Sequence, residues 1–117
     1  MPITITTLKN RADFLRLRNG RKFTTPYFIL RAAASDVAGQ VGARVGYTVT
    51  TKCGNAVLRN RTKRRLRALV AEIFPEAAKA GQDYILIALD KAKPNAAEAN
   101  YADLRAAMQR AIAGVHR

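Results

Sequence analysis

Residues 55–74, NAVLRNRTKRRLRALVAEIF, read as one long helix halted ahead of Pro75, because proline disfavours helical backbone in the residue before it. At about 100° per residue, Leu58, Thr62, Leu66, Leu69, Val70 and Ile73 gather on one side as a stripe for the core. Arg59, Lys63 and Arg67 form an i, i+4, i+8 row beside the stripe. Asn60 and Arg64 form the next row round, and Arg61 and Arg65 flank the stripe on its other side. This helix opposes its own formation. Like charges at i, i+4 cost about 0.2–0.5 kcal/mol per pair, and Arg59/Lys63, Arg61/Arg65 and Lys63/Arg67 are such pairs with no Glu among them. Arg61 to Arg65 also lie well before the last turn, where the helix macrodipole gives them little help. Phosphates would remove the penalty, since each contact releases counterions. Of the six cations after Cys53 up to Arg67, five are Arg, which donates two coplanar bonds to a phosphate.

The rest of the chain sharpens the contrast. It has 117 residues, 49% of them apolar, with 21 Lys and Arg against eight Asp and Glu and a net charge of +13. That suits a single domain, residues 1–117, with a real core. Residues 1–71 contain only two acids, Asp13 and Asp36, while residues 72–117 are balanced, so the whole excess lies in the first part. A second basic cluster runs from Lys9 to Arg31 with Asp13 as its one acid. Solvated charged faces normally mix both signs; the composition therefore points to a polyanionic partner.

Around the central helix the chain reads as helix, two or three strands, helix, strand, helix. Thr6 and Thr7 are candidate caps for a short amphipathic helix carrying Leu8, Ala12, Phe14, Leu15 and Leu17 and ending at Gly20. Thr24 to Ala33 reads as a strand with Tyr27, Ile29 and Arg31 on one side and Phe28 and Leu30 on the other. In Ala43 to Thr51, Val45, Tyr47 and Val49 alternate with Arg44, Thr48 and Thr50. Tyr84 to Leu89 is apolar enough for a strand buried on both sides, and Asn100 to Ala113 is an Ala-rich helix with the stripe Tyr101, Leu104, Met108 and Ile112. The fold class is an α/β two-layer sandwich with about four strands.

Several chemistries are disfavoured. A single Cys and a single His, His116 at a terminus expected to fray, leave no metal cluster and no nucleophilic triad. Asp13, Asp36, Asp83 and Asp90 show no pairing in sequence, so no catalytic residue and no metal site are expected. No apolar run approaches membrane-spanning length, and Met1 to Leu8 lacks the features of a secretory signal, so the expected setting is cytoplasmic and away from membranes. Strands, rather than a helix and a tight turn, lead directly into the central helix, which argues against helix-turn-helix DNA binding. Phe14, Phe23, Tyr27 and Phe28 near the first basic cluster could stack on unpaired bases, with core packing as the competing role. Gly39–Gly42 and Asn60–Thr62 match short patterns for a nucleic-acid loop and glycosylation outside the required context, and Lys63–Arg65 matches a nuclear address of a kind common by chance. Cys53 reads as a small strand-end residue.

The order Arg44–Val45–Gly46–Tyr47–Thr48–Val49, Lys52, Gly54–Asn55–Ala56–Val57, Arg59–Asn60–Arg61 and Lys63–Arg64–Arg65–Leu66–Arg67 resembles the signature of the bacterial ribonuclease P protein subunit. Phe14, Gly20 to Phe23, Phe28 to Leu30 and Gly81 to Tyr84 are similar in order and spacing, and the likeness spans residues 8–112. The resemblance implies the protein partner of a catalytic RNA, a holoenzyme that removes the 5′ leader of precursor tRNA, and Mg2+ bound mainly by the RNA subunit. It implies a 1:1 complex of protein and RNA and a left-handed crossover between parallel strands. Carried over, Lys52, Asn55, Arg59, Asn60, Arg61, Lys63, Arg64 and Arg67 would face the RNA subunit, and Phe14, Arg18, Tyr27, Ile29 and Arg31 would meet the single-stranded leader. Arg18 and Arg31 stand near positions where relatives often carry aromatics, and Ala68 where an acid often follows. Two other readings stay open: a binding module of ribosomal or DNA-coating type, and a basic peripheral membrane protein.

Overall fold

A computed structural model describes residues 2–90 and 94–116. In chain order the elements are β1 (Ile5–Thr7), α1 (Arg11–Leu17), β2 (Arg21–Thr24), β3 (Phe28–Ala34), β4 (Ala43–Thr48), a 3₁₀ turn (Thr51–Cys53), α2 (Ala56–Ala77), β5 (Gln82–Ala88) and α3 (Tyr101–Gly114). The strands form one five-stranded sheet in the order β1-β4-β5-β3-β2. β4 runs parallel to both β1 and β5, and β3 is antiparallel to β5 and β2. α2 connects the parallel neighbours β4 and β5.

The two faces of the sheet are covered unequally, and this makes the site. Phe28, Leu30, Val45, Tyr84 and Leu86 point to one side, where α2 (Leu66, Leu69, Val70, Phe74) and α3 (Leu104, Met108, Ala111) close the main core. Alternate residues point to the other side, as the pleat requires. There the buried apolar cluster is Leu8, Leu17 and Ile85, with Phe14, Ala33 and Ile87 packed beside it. The seven residues of α1 span about 10 Å at 1.5 Å per residue, too little to cover a sheet of this width, so much of that face stays open.

Four local expectations are corrected. The first helix is capped by Asn10, whose Oδ1 accepts from the Ala12 N–H at 2.9 Å; Thr6 and Thr7 instead belong to β1, a fifth strand that pairs with β4. The element order therefore begins with a strand. The strand expected at 24–33 is two strands, because buried Thr25 builds a turn: its Oγ1 donates to the Phe28 carbonyl at 2.8 Å and accepts the Tyr27 and Phe28 N–H groups. α2 continues through Pro75 to Ala77. Proline this near the end forfeits one backbone bond, and its carbonyl is used elsewhere, accepting from Ile3 N–H at 2.8 Å. His116 is held in place, with Nε2 2.6 Å from the Tyr84 hydroxyl.

Candidate nucleic-acid interface

α2 begins at Asn55, whose Oδ1 accepts the Leu58 N–H at 3.0 Å; Gly54, at φ 127°, turns the chain into that cap. Burying Thr62, Leu66, Leu69, Val70, Ile73 and Phe74 on the sheet fixes how the helix is rotated. Lys63 and Arg67 then overhang the edge of the open face, and the Arg67 guanidinium lies over the Tyr47 ring, 6.0 Å from its centroid. Burial pushes the Tyr47 hydroxyl up to about 12, with Arg67 opposing, so the ring stays a neutral phenol at neutral pH. Asn60, Arg61, Arg64 and Arg67 are exposed, Arg59 and Lys63 half-buried, and Lys52 is exposed on the 3₁₀ turn. Among the described residues no cation of α2 forms an ion pair with a carboxylate; the pairs present involve Arg16, Arg44 and Arg105.

Arg65 stands apart from these. It donates to the carbonyls of Ala96 (2.7 Å) and Ala99 (2.8 Å), and its guanidinium lies 5.5 Å from the centre of the Tyr101 ring. Burial and neighbouring Arg61 lower its pKa. It fastens the segment before α3, while Arg61 lies on that same flank, about 120° round the helix from Arg67.

Two adjoining hollows lie beside this row. The larger, about 480 Å³, has Phe14 and Leu15 of α1 and the capping Arg18 along one wall, Ile85 and Ile87 of β5 in its floor, and Arg31, Thr48, Lys9 and Arg11 around them. The smaller, about 360 Å³, is lined by Thr7, Leu8, Lys9, Phe14, Tyr47, Lys63 and Arg67. Lys9 and Phe14 border both, and neither lining contains a carboxylate. Gly46 sits beneath Phe14: a Cβ there would come within 2.6 Å of the ring's Cζ. The chain thus brings an aromatic ring, an apolar floor and cations together along a groove running from the sheet to α2. This can hold a single strand by stacking bases and neutralising phosphates.

Of the expected leader residues, Phe14, Arg18 and Arg31 line the groove, and Ile29 pairs with Ile87 on the same face. Tyr27 does not reach it. The turn built by Thr25 breaks the alternation before β3 begins, and Tyr27 packs against the main core. Phe28 is fully buried and Phe23 packs on the main core, so Phe14 is the one member of the aromatic group in the groove. Lys9, Arg11, Leu15, Tyr47, Thr48, Ile85 and Ile87 join the groove beyond the expected residues. Thr48 carries a signal in the alternation of its strand, whereas the two isoleucines lie in a run apolar on both sides and carry none.

The acids also depart from expectation. Asp13, Asp36 and Asp83, remote in sequence, converge so that their oxygens lie within 4.8 Å of one another. They are not arranged as an acid–base pair or a cation cage, because Arg16 and Arg44 fill the space between them. The protein's own donors therefore do not suit Mg2+ at this cluster.

The sequence matches the profile of the family described as Ribonuclease P over residues 4–115. The chain belongs to the ribonuclease P protein family. It is 44% identical over 113 residues to the ribonuclease P protein component of Paramagnetospirillum magneticum, covering 94% of this chain and 85% of the relative. It is 42% identical to that of Gluconacetobacter diazotrophicus, covering 89% of each. The RNase P protein of Staphylococcus aureus superposes with a TM-score of 0.72 at 25% identity, covering 91% of each chain. That of Thermotoga maritima superposes with a TM-score of 0.77 at 22% identity, covering 92% of this chain and 96% of the other, and supports the fold. The chain is thus the protein subunit of ribonuclease P, a tRNA-processing ribonucleoprotein endonuclease in which the RNA subunit carries catalysis, and that RNA is its partner.

Proposed function

We propose that α2 docks on the RNA subunit and that the adjoining groove receives the 5′ leader of precursor tRNA, in a cytoplasmic 1:1 complex of protein and RNA. Lys52, Asn55, Arg59, Asn60, Arg61, Lys63, Arg64 and Arg67 face the RNA subunit. Phe14, Arg18 and Arg31 hold the leader, with Ile29 on the same face and Lys9 and Arg11 at the rim. The observation that carries this reading is the continuity of the two surfaces: Lys63 and Arg67 of the docking helix also line the hollow that Phe14 shares with the cleft. A strand leaving the RNA-bound helix would meet no carboxylate in either lining. Arg18 and Arg31 in the cleft shift the contact from stacking toward phosphate pairing.

The protein adds affinity and placement to chemistry performed elsewhere. Mg2+ belongs to the RNA subunit in this reading; the carboxylates of Asp13 and Asp83 are committed to arginines, and exposed Asp36 lies 3.4 Å from Arg44. Reconstitution tests the whole: with a bacterial ribonuclease P RNA at low magnesium, the protein should stimulate removal of the leader. Phe14→Ala should weaken precursor tRNA by about 1–3 kcal/mol, the worth of one stacked base, and leave mature tRNA unchanged. Equal losses for both ligands would make Phe14 a packing residue only.

A further inference from the structure

Resting on the reading of the cleft as the leader site, one buried carboxylate acquires a role in that binding. Seven residues are too few for a helix to persist on its own, yet α1 and its C-cap supply Phe14 and Arg18 to the cleft. Its attachment is partly apolar, through fully buried Leu17. The polar attachment is Arg16. This side chain donates to the Asp83 carboxylate, to Asp13 Oδ1 at 3.2 Å and to the Ala34 carbonyl at 2.7 Å. Asp83 is completely buried, and Arg44 of β4 grips the same carboxylate with two bonds of 2.9 and 2.6 Å.

The location of Asp83 is what matters. Asp83, Ile85 and Ile87 alternate along β5 and point to one face. The carboxylate that ties down α1 therefore stands on the strand that forms the cleft floor. We propose that Asp83, acting through Arg16, is a positioning residue that sets the distance and register of the Phe14 wall relative to the Ile85–Ile87 floor. A buried ion pair is an inefficient way to gain stability, since apolar groups of the same shape often do as well. Its directional bonds fix where a short helix sits. Burial opposes ionisation of Asp83, but the hydrogen bonds from Arg44 and Arg16 outweigh it and hold the carboxyl below the usual carboxylate range, so the clamp is charged at neutral pH.

Arg16 and Arg44 provide the test, because each contributes one charge to the same carboxylate and only Arg16 belongs to α1. Among the described residues the ion pair of Arg44 with α1 is the one to Asp13, at 3.6 Å. In the reconstituted holoenzyme, Arg16→Met should weaken precursor tRNA about fivefold or more, the low end of losing one stacked base. Mature tRNA and RNA-subunit affinity should hold. Arg44→Met should leave the ratio of precursor to mature affinity within about twofold of wild type, a change of under 0.5 kcal/mol. Should the methionine variants fail to fold in a thermal melt, Arg16→Lys against Arg44→Lys gives the same comparison with the charge kept and the forked geometry removed. Equal ratios for the two variants, or an unchanged ratio for Arg16→Met, would overturn the positioning role. Phe14→Ala runs alongside: if it lowers the ratio while Arg16→Met does not, only the role of Asp83 fails, and if neither does, the cleft reading fails.

Discussion

Replacing Gly46 by alanine should damage leader binding without touching a charge. The added Cβ would lie 2.6 Å from Phe14 Cζ, 2.9 Å from its Cε1 and 3.3 Å from the Leu8 carbonyl oxygen. Carbon atoms in ordinary contact stay about 3.5–4.0 Å apart, so about 1 Å of movement is needed. β4 cannot supply it, being paired to β1 on one side and β5 on the other. The Phe14 ring can, because it borders two hollows. The ring is then pushed off its seat into the space meant for a base. Overpacking of this kind costs about 1–3 kcal/mol in a closed core; with open space beside the ring the stability loss should fall near 1 kcal/mol. Binding should suffer more, approaching the loss of one stacked base, about 1–3 kcal/mol or 5- to 150-fold. Binding of precursor and mature tRNA to the reconstituted holoenzyme, with a thermal melt of the free protein, separates the effects. An unchanged precursor affinity, or equal losses for both tRNAs, would refute the placement of Phe14 in the leader path.

Two further outcomes follow from the geometry. Arg65→Ala should lower the melting temperature, because it removes two bonds to carbonyls and the contact with Tyr101, whereas Arg64→Ala should leave stability level or slightly higher by relieving repulsion and should instead weaken RNA-subunit binding; melts and filter binding of the two variants check this. Burial, with Lys79 and Arg21 nearby, lowers the His116 pKa, so its contribution to stability is present above the unfolded value of about 6.5 and is lost as pH falls through the folded one; the fall in melting temperature between about pH 7.5 and 5.5 should be smaller in His116→Gln.

Much of this was legible in the sequence, and the failures are local. The α2 stripe and the alternation in β4 are strong periodic signals, and the structure keeps both. β1 is only three residues, and its threonines resemble helix caps; pairing with β4 decides what they do. The split between β2 and β3 depends on one buried hydroxyl, Thr25, and the misplacement of Tyr27 follows from it. The candidate site shows the same division. Cations on α2 could be placed by helical arithmetic, but Ile85 reads only as core until it is known that a seven-residue helix covers that side of the sheet. The cluster of Asp13, Asp36 and Asp83 was invisible because it joins three distant segments, and no spacing along the chain encodes it.

Among the described residues the crowded positive charge on α2 meets no carboxylate, and in the proposed reading an RNA backbone neutralises it. The most direct measurement is the salt dependence of RNA-subunit affinity for wild type, Arg64→Ala and Arg67→Ala. Each variant should bind more weakly and flatten the plot of log affinity against log salt by about 0.7–0.9 per lost phosphate contact. A slope identical to wild type in both variants would contradict the account.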